Sequence, residues 1–535
     1  MPGERPPDDI ETIGDLLEEN AAARGDSTFF RYRGESYTYE ELDAKVNSVA
    51  NELLAMGVSP GDTVCILLYN RPEYLYMLFA LAKIGAIAVP VDTRFSGDTL
   101  LHVLRETDAR FLVLDDDTRP AYEAIRGDVP NIGVELFVGE QENNQPYRSF
   151  DQLLDGDGSA QPDIEVDGSQ TCSITYVQRY EATHPQGVML PHYSYINTGW
   201  ETTEHILNTS QDDCVFTTHP FYSCYPIQMG VVSVMFAGAE FAFEKQFQRE
   251  QFWDWIRTYD ATIFLYLGRM LSVLYNQGKK GDENPTEYVL GHGFGFDIDE
   301  SLISDFEERF DITVLEAYGI TPSATIATTN RPGSRKVGSV GKPLPYVDIK
   351  IVNENDWEVP IGNTGEILVR SNRTHTMMQQ FYEAPELTVQ TCQNQWIHTN
   401  DIGYIDEDGY LHFVANKAHS IHLGRVGGRI SSLEIESVMD SHPDISTSVV
   451  IGVPDDVGNE VIKAIVVPRD DADLSPIDVS KHCEKRLTYH KLPRYIELRD
   501  ELPRSPAGKV QNKKLRDTSI TNGVWDRESG YKLSR

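Results

Sequence analysis

The sequence predicts an α/β fold in two parts: a large amino-terminal domain of parallel sheets covered by helices, and a small, mobile α+β carboxyl-terminal domain. One observation is the alternation of buried strand-like runs with a helix-like run at 63–68, 70–84 and 86–91. Such alternation is typical of parallel sheets covered by helices. The other is a change of pattern after Val414, where a hairpin gives way to polar and glycine-rich sequence. The 535 residues are enough for both domains.

The first elements carry recognisable start signals. Residues 10–25 have the pattern of an amphipathic helix, and the aromatic stretches on either side of Gly34 predict a hairpin. Thr38 is followed three positions later by Glu41, which predicts a capping box at the start of a helix ending near Met56. These elements carry architecture rather than chemistry.

The charge balance is strongly acidic, with 83 Asp and Glu residues against 47 Lys and Arg, a net charge of −36. Nucleic acid is excluded as a partner, because binding to phosphates needs a basic surface. The acidic residues are spread along the chain, which indicates a solvated and self-repelling surface. We therefore predict a halophile-like protein from a high-salt cytoplasm, where counterions screen the repulsion.

The cysteines and the apolar runs also favour a cytoplasmic location. Six cysteines lie far apart without a CxxC pair, so neither a zinc site nor a disulfide framework is indicated. No apolar run reaches the roughly 18–20 residues of a membrane span. Residues 1–9 are proline-rich and acidic, unlike a signal peptide. We predict a soluble cytoplasmic protein without a membrane span.

Three segments of the large domain have an unusual composition. Residues 172–192 read CSITYVQRYEATHPQGVMLPH, a strand, a loop and a second apolar run. Residues 291–296 read GHGFGF, which predicts a glycine-rich turn after an apolar strand. Residues 315–321 read LEAYGIT.

The segment 396–436 is where the two predicted domains meet. An acidic residue, Asp401, follows a strand-like run, and a hairpin then turns at 407–409. A polar link begins at 415, and a helix starts near Ser431, with Glu434 placed for a capping box. This order predicts the domains 1–414 and 415–535. Near the carboxyl end, residues 501–510 read ELPRSPAGKV.

Taken in order, these segments resemble the AMP-forming acyl-CoA synthetases, a branch of the adenylate-forming enzymes. The stretch HTNDIGYIDEDGYLHFV at 398–414 is similar to the family's HTGD…DGYL segment, and 501–510 is similar to its LPRTxxGKV motif. Residues 243–262 resemble the carnitine/crotonobetaine-type CoA ligases, which points to a small polar or charged acyl group. The resemblance implies activation of a small-molecule carboxylic acid with ATP and Mg²⁺, and transfer to CoA.

The resemblance also assigns roles to residues. It implies that Lys509 and Thr321 are catalytic, with Thr321 near the α-phosphate. The carboxyl-terminal domain is expected to rotate between the two steps of the reaction, and a homodimer is among the options for assembly. The residues that the resemblance places around nucleotide are Thr183, Gly187, Gly291, Gly293, Tyr318, Gly319, Thr321 and Asp401.

Several positions depart from the family's pattern. The loop 178–186 has no glycine, and Gln186 stands in place of a lysine that binds phosphate. Pro322 replaces the glutamate that helps to hold Mg²⁺, so no residue is predicted as a metal ligand. The family's hinge arginine and its flanking acids are absent from 415–419, although Lys417 and Arg425 lie nearby in the sequence.

Three readings follow from this mixture of matches and departures. The first is an AMP-forming acyl-CoA ligase, weakened in its handling of ATP. The second is a non-catalytic paralogue that still binds nucleotide, acyl group or CoA. The third is a scaffold or partner subunit without a ligand.

Overall fold

The computed structural model of the chain describes residues 5–140, 146–156, 158–177, 179, 182, 184–276, 290–294, 300–417, 420–422, 429–454, 460–470, 472–487, 491–503, 510, 514–515, 524–528 and 531–532. By internal packing the chain divides into two units. The first consists of Met1–Ile349 and Val369–Ile397, and the second of Lys350–Leu368 and His398–Arg535. The predicted boundary at 414/415 rests on the loss of periodicity and stays a prediction, as does the mobility of the carboxyl-terminal part.

The strands in chain order are β1 (Thr28–Tyr32), β2 (Glu35–Thr38), β3 (Thr63–Leu67), β4 (Ile87–Pro90), β5 (Phe111–Asp115), β6 (Val134–Val138), β7 (Arg148–Ser149), β8 (Thr171–Val177), β9 (Gln186–Pro191), β10 (Cys214–Thr217), β11 (Glu240–Phe243), β12 (Ile263–Leu267), β13 (Leu290–Phe294), β14 (Thr313–Tyr318), β15 (Thr328–Thr329), β16 (Lys342–Pro343), β17 (Val347–Val352), β18 (Gly365–Ser371), β19 (Gln380–Phe381), β20 (Cys392–Gln393), β21 (Trp396–Ile405), β22 (Leu411–Asn416), β23 (Ser420–His422), β24 (Arg429–Ser431), β25 (Ile445–Pro454), β26 (Glu460–Pro468), β27 (Tyr495–Leu498), β28 (Trp525–Asp526) and β29 (Tyr531–Lys532).

The α-helices are α1 (Ile13–Arg24), α2 (Tyr39–Ala55), α3 (Pro72–Lys83), α4 (Gly97–Glu106), α5 (Arg119–Glu123), α6 (Asp151–Leu154), α7 (His192–Glu201), α8 (Cys224–Pro226), α9 (Ser233–Ala237), α10 (Phe252–Thr258), α11 (Gly268–Asn276), α12 (Glu300–Phe310), α13 (Pro385–Thr391), α14 (Ser432–Asp440) and α15 (Pro476–Glu484). Short 3₁₀ turns occupy Arg126–Asp128 and Thr321–Ser323. Two π-helical segments, Thr202–Ile206 and Ile227–Val232, continue α7 and α8.

Two large sheets organise the first unit. The nine-stranded sheet has the order β16-β15-β14-β13-β12-β10-β11-β1-β2, and β14 to β1 in this order run parallel. The eight-stranded sheet has the order β19-β9-β8-β4-β3-β5-β6-β7, and β8 to β7 in this order run parallel. The predicted α/β class with parallel sheets is therefore confirmed.

The capping box and the hairpin predicted near the amino terminus are both confirmed. Thr38 and Glu41 form the predicted capping box of α2, through hydrogen bonds of 3.2 and 2.9 Å. Gly34 turns the β1–β2 hairpin at a φ of +83°, a backbone angle that glycine adopts without strain.

The second unit contains a five-stranded sheet in the order β25-β26-β27-β28-β29, with α14 and α15. Its α+β character confirms the prediction for this part of the chain. The start of α14 also agrees, since Ser431 is its N-cap. Ser431 makes no side-chain capping bond, so its half of the predicted capping box is wrong, and the Glu434 side chain lies outside the described residues. The link predicted at 415 begins later, because β22 continues through Asn416 against Asp401.

All six cysteines are free thiols. Five are buried, and Cys392 on β20 is half-buried. Burial raises the pKa of each of the six, to about 12 at Cys65, Cys172 and Cys214. Among the described residues, none of the helices has the length and apolar character that crossing a membrane requires.

Candidate active site

The candidate site begins where β14 ends. Tyr318 is the last residue of this strand and is buried, and Gly319 follows it directly. A Cβ atom at Gly319 would overlap the carbonyl oxygen of Thr325, so only glycine allows this approach of two backbone segments. Thr321 then opens a single 3₁₀ turn, which Ser323 stabilises by accepting the Ile320 N–H at 3.1 Å.

The backbone after this turn is strained. Ala324 and Thr325 have φ angles of +51° and +86°. For a β-branched residue such as Thr325, this region is an outlier, and such outliers cluster at functional sites. The turn that carries Thr321 is thus held in shape by its surroundings rather than by local preference.

A buried network of neutral polar side chains lies beside this turn. The Thr325 hydroxyl donates to Oε1 of Gln228, and the Cys224 sulfur lies 3.0 Å from the Thr325 Oγ1. The Ala324 N–H donates to the Thr321 carbonyl oxygen at 2.9 Å, one residue before Thr325. Gln228 has no solvent exposure, and its Nε2 has no partner among the described residues. Sequence reasoning missed Gln228, Thr325 and Cys224; the only signal was one amide in the apolar run 224–237.

The position expected to hold Mg²⁺ does not offer a ligand. Pro322 is buried, and its carbonyl oxygen accepts the N–H of Met378 at 3.0 Å. In the part of the chain that the structure describes, no group of three or more His, Cys, Asp or Glu side chains is arranged to hold a metal ion. The described residues therefore do not fit a metal ion held by side chains at this place.

Gly291 and Gly293 lie within β13, between β12 and β14. The prediction of a turn at 291–296 is therefore wrong for 291–294, while 295 and 296 lie outside the described residues. A Cβ at Gly293 would overlap the Tyr266 carbonyl oxygen, and one at Gly291 would lie 2.9 Å from the Phe264 ring. The side chains of the neighbouring strand fill the space that these glycines leave.

His292, between the two glycines, is also buried. Its Nε2 lies 3.1 Å from the Thr329 hydroxyl, and its Nδ1 lies 3.2 Å from the Tyr225 hydroxyl. Burial lowers the pKa of His292 to about 3. The imidazole is consequently neutral at physiological pH and cannot supply a positive charge to a phosphate.

The loop 178–186 is described only in part, and Thr183 lies outside the described residues together with 178, 180 and 181. The Arg179 guanidinium lies over the Phe381 ring, 5.5 Å from its centroid. Gln186 is the first residue of β9 and pairs with Val177. Its Nε2 donates to the carbonyl oxygens of His184 and Pro185 at 3.4 and 3.3 Å, so this amide is occupied by nearby backbone.

Gly187 follows on β9 and is packed on both sides. A Cβ atom there would lie 2.7 Å from the Ile174 Cγ2 and 3.0 Å from the Tyr382 Cβ. Its carbonyl oxygen accepts the Tyr382 N–H at 2.8 Å. Close packing against Ile174 and Tyr382 therefore explains why this position is a glycine.

Asp401 belongs to the second unit and is almost fully buried. Its Oδ1 accepts from Asn416 Nδ2 at 2.8 Å, a partner that sequence reasoning missed. Asn400, which replaces a glycine of the family pattern, has a φ of +58°, an angle that asparagine tolerates better than most residues. Lys417 lies 3.5 Å from Glu366. Lys509 lies outside the described residues.

The comparisons with known proteins agree with this arrangement of motifs. Residues 17–382 match the family described as AMP-binding enzyme, and residues 434–509 match the AMP-binding enzyme C-terminal domain. The chain belongs to the AMP-binding enzyme family. The predicted membership is thereby confirmed by two matched segments, one in each part of the chain.

Relatives of this AMP-binding enzyme are CoA ligases by name. A crotonobetaine/carnitine–CoA ligase of Salmonella agona (strain SL483) is 28% identical over 518 residues, which cover 95% of this chain and 99% of the relative. Among solved structures, the anthranilate CoA ligase AuaEII in complex with anthranoyl-AMP has a TM-score of 0.82 at 25% identity, covering 95% of this chain and 96% of that one.

A second solved structure is that of ATP-bound MatB from Rhodopseudomonas palustris. It has a TM-score of 0.77 at 22% identity, and the match covers 94% of this chain and 98% of that one. At this identity the likeness concerns the fold. It extends over both parts of the chain, which supports the predicted architecture of a large and a small domain.

Proposed function

We propose that this protein is an AMP-forming acid–thiol ligase that converts a carboxylic acid to its CoA thioester. The observation that carries the proposal is the match to CoA ligases over nearly the whole chain, including both family segments. In the first step a carboxylate oxygen bonds to the α-phosphorus of ATP, and pyrophosphate leaves. In the second, the CoA sulfur bonds to the acyl carbon, and AMP leaves.

Residues of the chain would stabilise negative charge on the reacting oxygens and hold the nucleotide in place. Thr321 would donate its hydroxyl hydrogen bond to an α-phosphate oxygen, and Lys509 would stabilise the negative charge that develops on the reacting oxygens. Asp401 would accept hydrogen bonds from both ribose hydroxyls through its two carboxylate oxygens. Tyr318 and Gly319 would border the adenine. Gly319 and Thr321 at the strand end are half-buried and so partly open to solvent, which supports this assignment.

The remaining candidates would lie along the nucleotide. Gly291 and Gly293 would form part of the adenine surface, and Gly187 with Thr183 would lie toward the phosphates. These assignments rest on the family resemblance, because the packing of the three glycines is explained by their neighbours on adjacent strands. ATP, CoA and the acid are the proposed substrates, and the residues at 178–186 and 322 would weaken the binding of Mg-ATP.

The experiment that tests the proposal is a single-turnover measurement of acyl-AMP and pyrophosphate with Lys509→Ala. We expect the variant to lose acyl-AMP formation by about 10²–10³-fold, because the lysine would act on charge present only in the transition state. Its affinity for AMP should change little. Lys481→Ala, an exposed lysine of α15, serves as the control.

Unchanged pyrophosphate release by Lys509→Ala would refute the catalytic assignment. A wild-type protein that binds AMP but releases no pyrophosphate with any acid would instead establish the non-catalytic paralogue. The names of the Salmonella agona relative and of the structural neighbour AuaEII, both CoA ligases, support the ligase over that alternative. A high-salt cytoplasm and a homodimer remain part of the proposal.

A further inference from the structure

The position of the acyl group follows from the proposed function, on which this inference rests. An acid that attacks the α-phosphorus must place its carboxylate beside the α-phosphate, and Thr321 is proposed to bind there. Thr325 closes the turn that Thr321 opens, since the Thr325 N–H donates to the Ile320 carbonyl oxygen at 3.3 Å. The Thr325 hydroxyl contacts Cys224 and Gln228. The acyl group would therefore extend from Thr321 toward Cys224, Thr325 and Gln228.

Gln228 has a donor that nothing in the described structure uses. Its Oε1 accepts the Thr325 hydroxyl, which orients the amide and leaves Nε2 as the free end. Nε2 is buried and has no partner among the described residues. Buried donors are almost always paired, so an unpaired one calls for a partner that the described residues do not supply.

The backbone on both sides of this amide is specialised. Gln228 lies in the π-helical segment Ile227–Val232, and such segments occur often at functional sites. Thr325, which orients the amide, has the strained φ of +86°. The hydrogen bond between Thr325 and Gln228 therefore joins a residue with a strained backbone to a residue in a π-helical segment. Backbone strain of this kind persists where the surrounding structure enforces it.

The segment that carries Gln228 is also held firmly. A Cβ at Gly199 would overlap Val232, and one at Gly230 would lie 2.6 Å from the Phe241 ring. The Met229 sulfur lies 2.9 Å from the Thr202 hydroxyl. Because the segment is packed this closely, the amide cannot easily turn away to find another partner.

The network contains no charge. The hydrogen-bond partners described for Thr321, Cys224, Thr325 and Gln228 are neutral side chains or backbone groups. A buried cation or anion on the acyl group would find no counter-charge among these partners, and an uncompensated buried charge is strongly unfavourable.

We infer that the substrate is a compact acid whose acyl group is uncharged and carries a hydrogen-bond acceptor, a carbonyl or ether oxygen, that accepts the Nε2 proton of Gln228. Gln228 is the specificity-determining residue and Thr325 is its positioning residue. A quaternary ammonium acid such as carnitine would be a poor substrate for this chain, in contrast to the relatives named for it.

The test uses non-reactive acyl-sulfamoyl adenosines, so that it does not depend on turnover. Isothermal titration compares pairs with the same skeleton: 4-oxopentanoyl with 4-methylpentanoyl, 5-oxohexanoyl with 5-methylhexanoyl, and 6-oxoheptanoyl with 6-methylheptanoyl. In at least one pair we expect the oxo compound to bind at least about tenfold more tightly, because its carbonyl pairs with the buried donor. The 4-(trimethylammonio)butanoyl compound should bind more weakly than that oxo compound.

Two variants and their controls locate the effect. Gln228→Met, which keeps the length of the side chain and removes the donor, should abolish the oxo preference while AMP binds as before. Thr325→Val should reduce the preference, because the amide loses the hydroxyl that orients it, and Thr325→Ser should retain it.

The outcomes separate this inference from the proposed function. Equal binding within every pair, as expected if a buried water satisfies Nε2, overturns the inference and leaves the ligase intact. A preference that survives Gln228→Met also overturns it. If neither AMP nor any analogue binds, the proposed nucleotide site fails, and the inference fails with it.

Discussion

Glu316 lies on β14, two positions before Tyr318, and only 4% of its surface is exposed. Burial raises its pKa to about 8, although the Gly338 N–H donates to its Oε2 at 3.2 Å and Arg335 lies nearby. In the unfolded chain this carboxyl group ionises near its ordinary value. Between that value and about 8, the folded protein therefore binds a proton that the unfolded chain has released.

This difference predicts a pH-dependent contribution to stability. The free energy of unfolding contributed by Glu316 should fall as pH rises from about 4.5 to about 8, because the native state binds more protons over that range. Glu316→Gln removes the titration. We expect its melting temperature to rise relative to the wild type between pH 5 and pH 8.5, by roughly 5 °C. Thermal unfolding at both pH values measures this.

Glu308→Gln, on the exposed side of α12, is the control and should track the wild type across the same pH range. Parallel curves for Glu316→Gln and wild type would show that the carboxyl group does not titrate differently in the two states.

Some residues of the candidate site could be predicted from sequence motifs, and others could not. Gly319 and Gly293 were found by their motifs, but the reason for each is an overlap with a backbone carbonyl of another segment. Gln228 was not found. Its partner Thr325 lies 97 positions away, and no local pattern signals a hydrogen bond between residues so distant in sequence.

The loop between β8 and β9 is the element where the chain departs most from its family. A loop without glycine cannot easily bring successive N–H groups close to phosphate oxygens. Gln186 does not compensate, because its amide donates to backbone carbonyls of the loop. The described ends of the loop nevertheless keep the regular pairing of β8 with β9. The departure is thus confined to the connection.

We predict that the wild type binds Mg-ATP weakly but binds AMP or an acyl-adenylate analogue measurably. Replacing 178–186 with the family's glycine-rich loop and lysine, together with Pro322→Glu, should raise the affinity for Mg-ATP by about tenfold or more. The affinity for AMP should stay nearly constant, because AMP lacks the β- and γ-phosphates. Isothermal titration of both nucleotides gives the comparison.

The same loop with Pro322→Gln is the matched control, since glutamine lacks the charge of glutamate. Tight binding of Mg-ATP by the unmodified protein would contradict the prediction and would assign the missing contacts to Arg179, Lys417 or Arg425.

Elements with strong local patterns were predicted well, and those fixed by distant partners were not. The helix at Thr38 and the hairpin at Gly34 follow from capping and turn residues. The 291–294 segment was predicted as a turn because it is rich in glycine, yet pairing with β12 and β14 makes it a strand. Asn416 continues β22 in the same way, because it pairs with Asp401.

Across the whole chain, the net charge of −36 sets how the protein responds to salt. Repulsion among these charges opposes compact states. Added salt weakens this repulsion, because at 1 M exposed charges more than about 3 Å apart are largely screened from each other. We predict that the melting temperature rises by at least roughly 5 °C between 0.1 and 2 M KCl. Calorimetry in buffers of increasing KCl concentration measures the rise.

Sucrose at equal osmolality is the control, because it is excluded from the protein surface but carries no charge and cannot screen the repulsion. A similar rise in sucrose, or a fall in KCl, would contradict the interpretation of the acidic surface as an adaptation to high salt.

The half-buried position of Cys392 makes the native protein selective toward thiol reagents. Burial raises the pKa of all six thiols, but the five other sulfurs also lie inside the packed units, where a reagent reaches them slowly. A maleimide dye should therefore label one equivalent rapidly at Cys392, and Cys392→Ser should remove that fast phase. The wild-type chain then offers a single attachment point on β20, opposite Ile397, without engineering away any other cysteine.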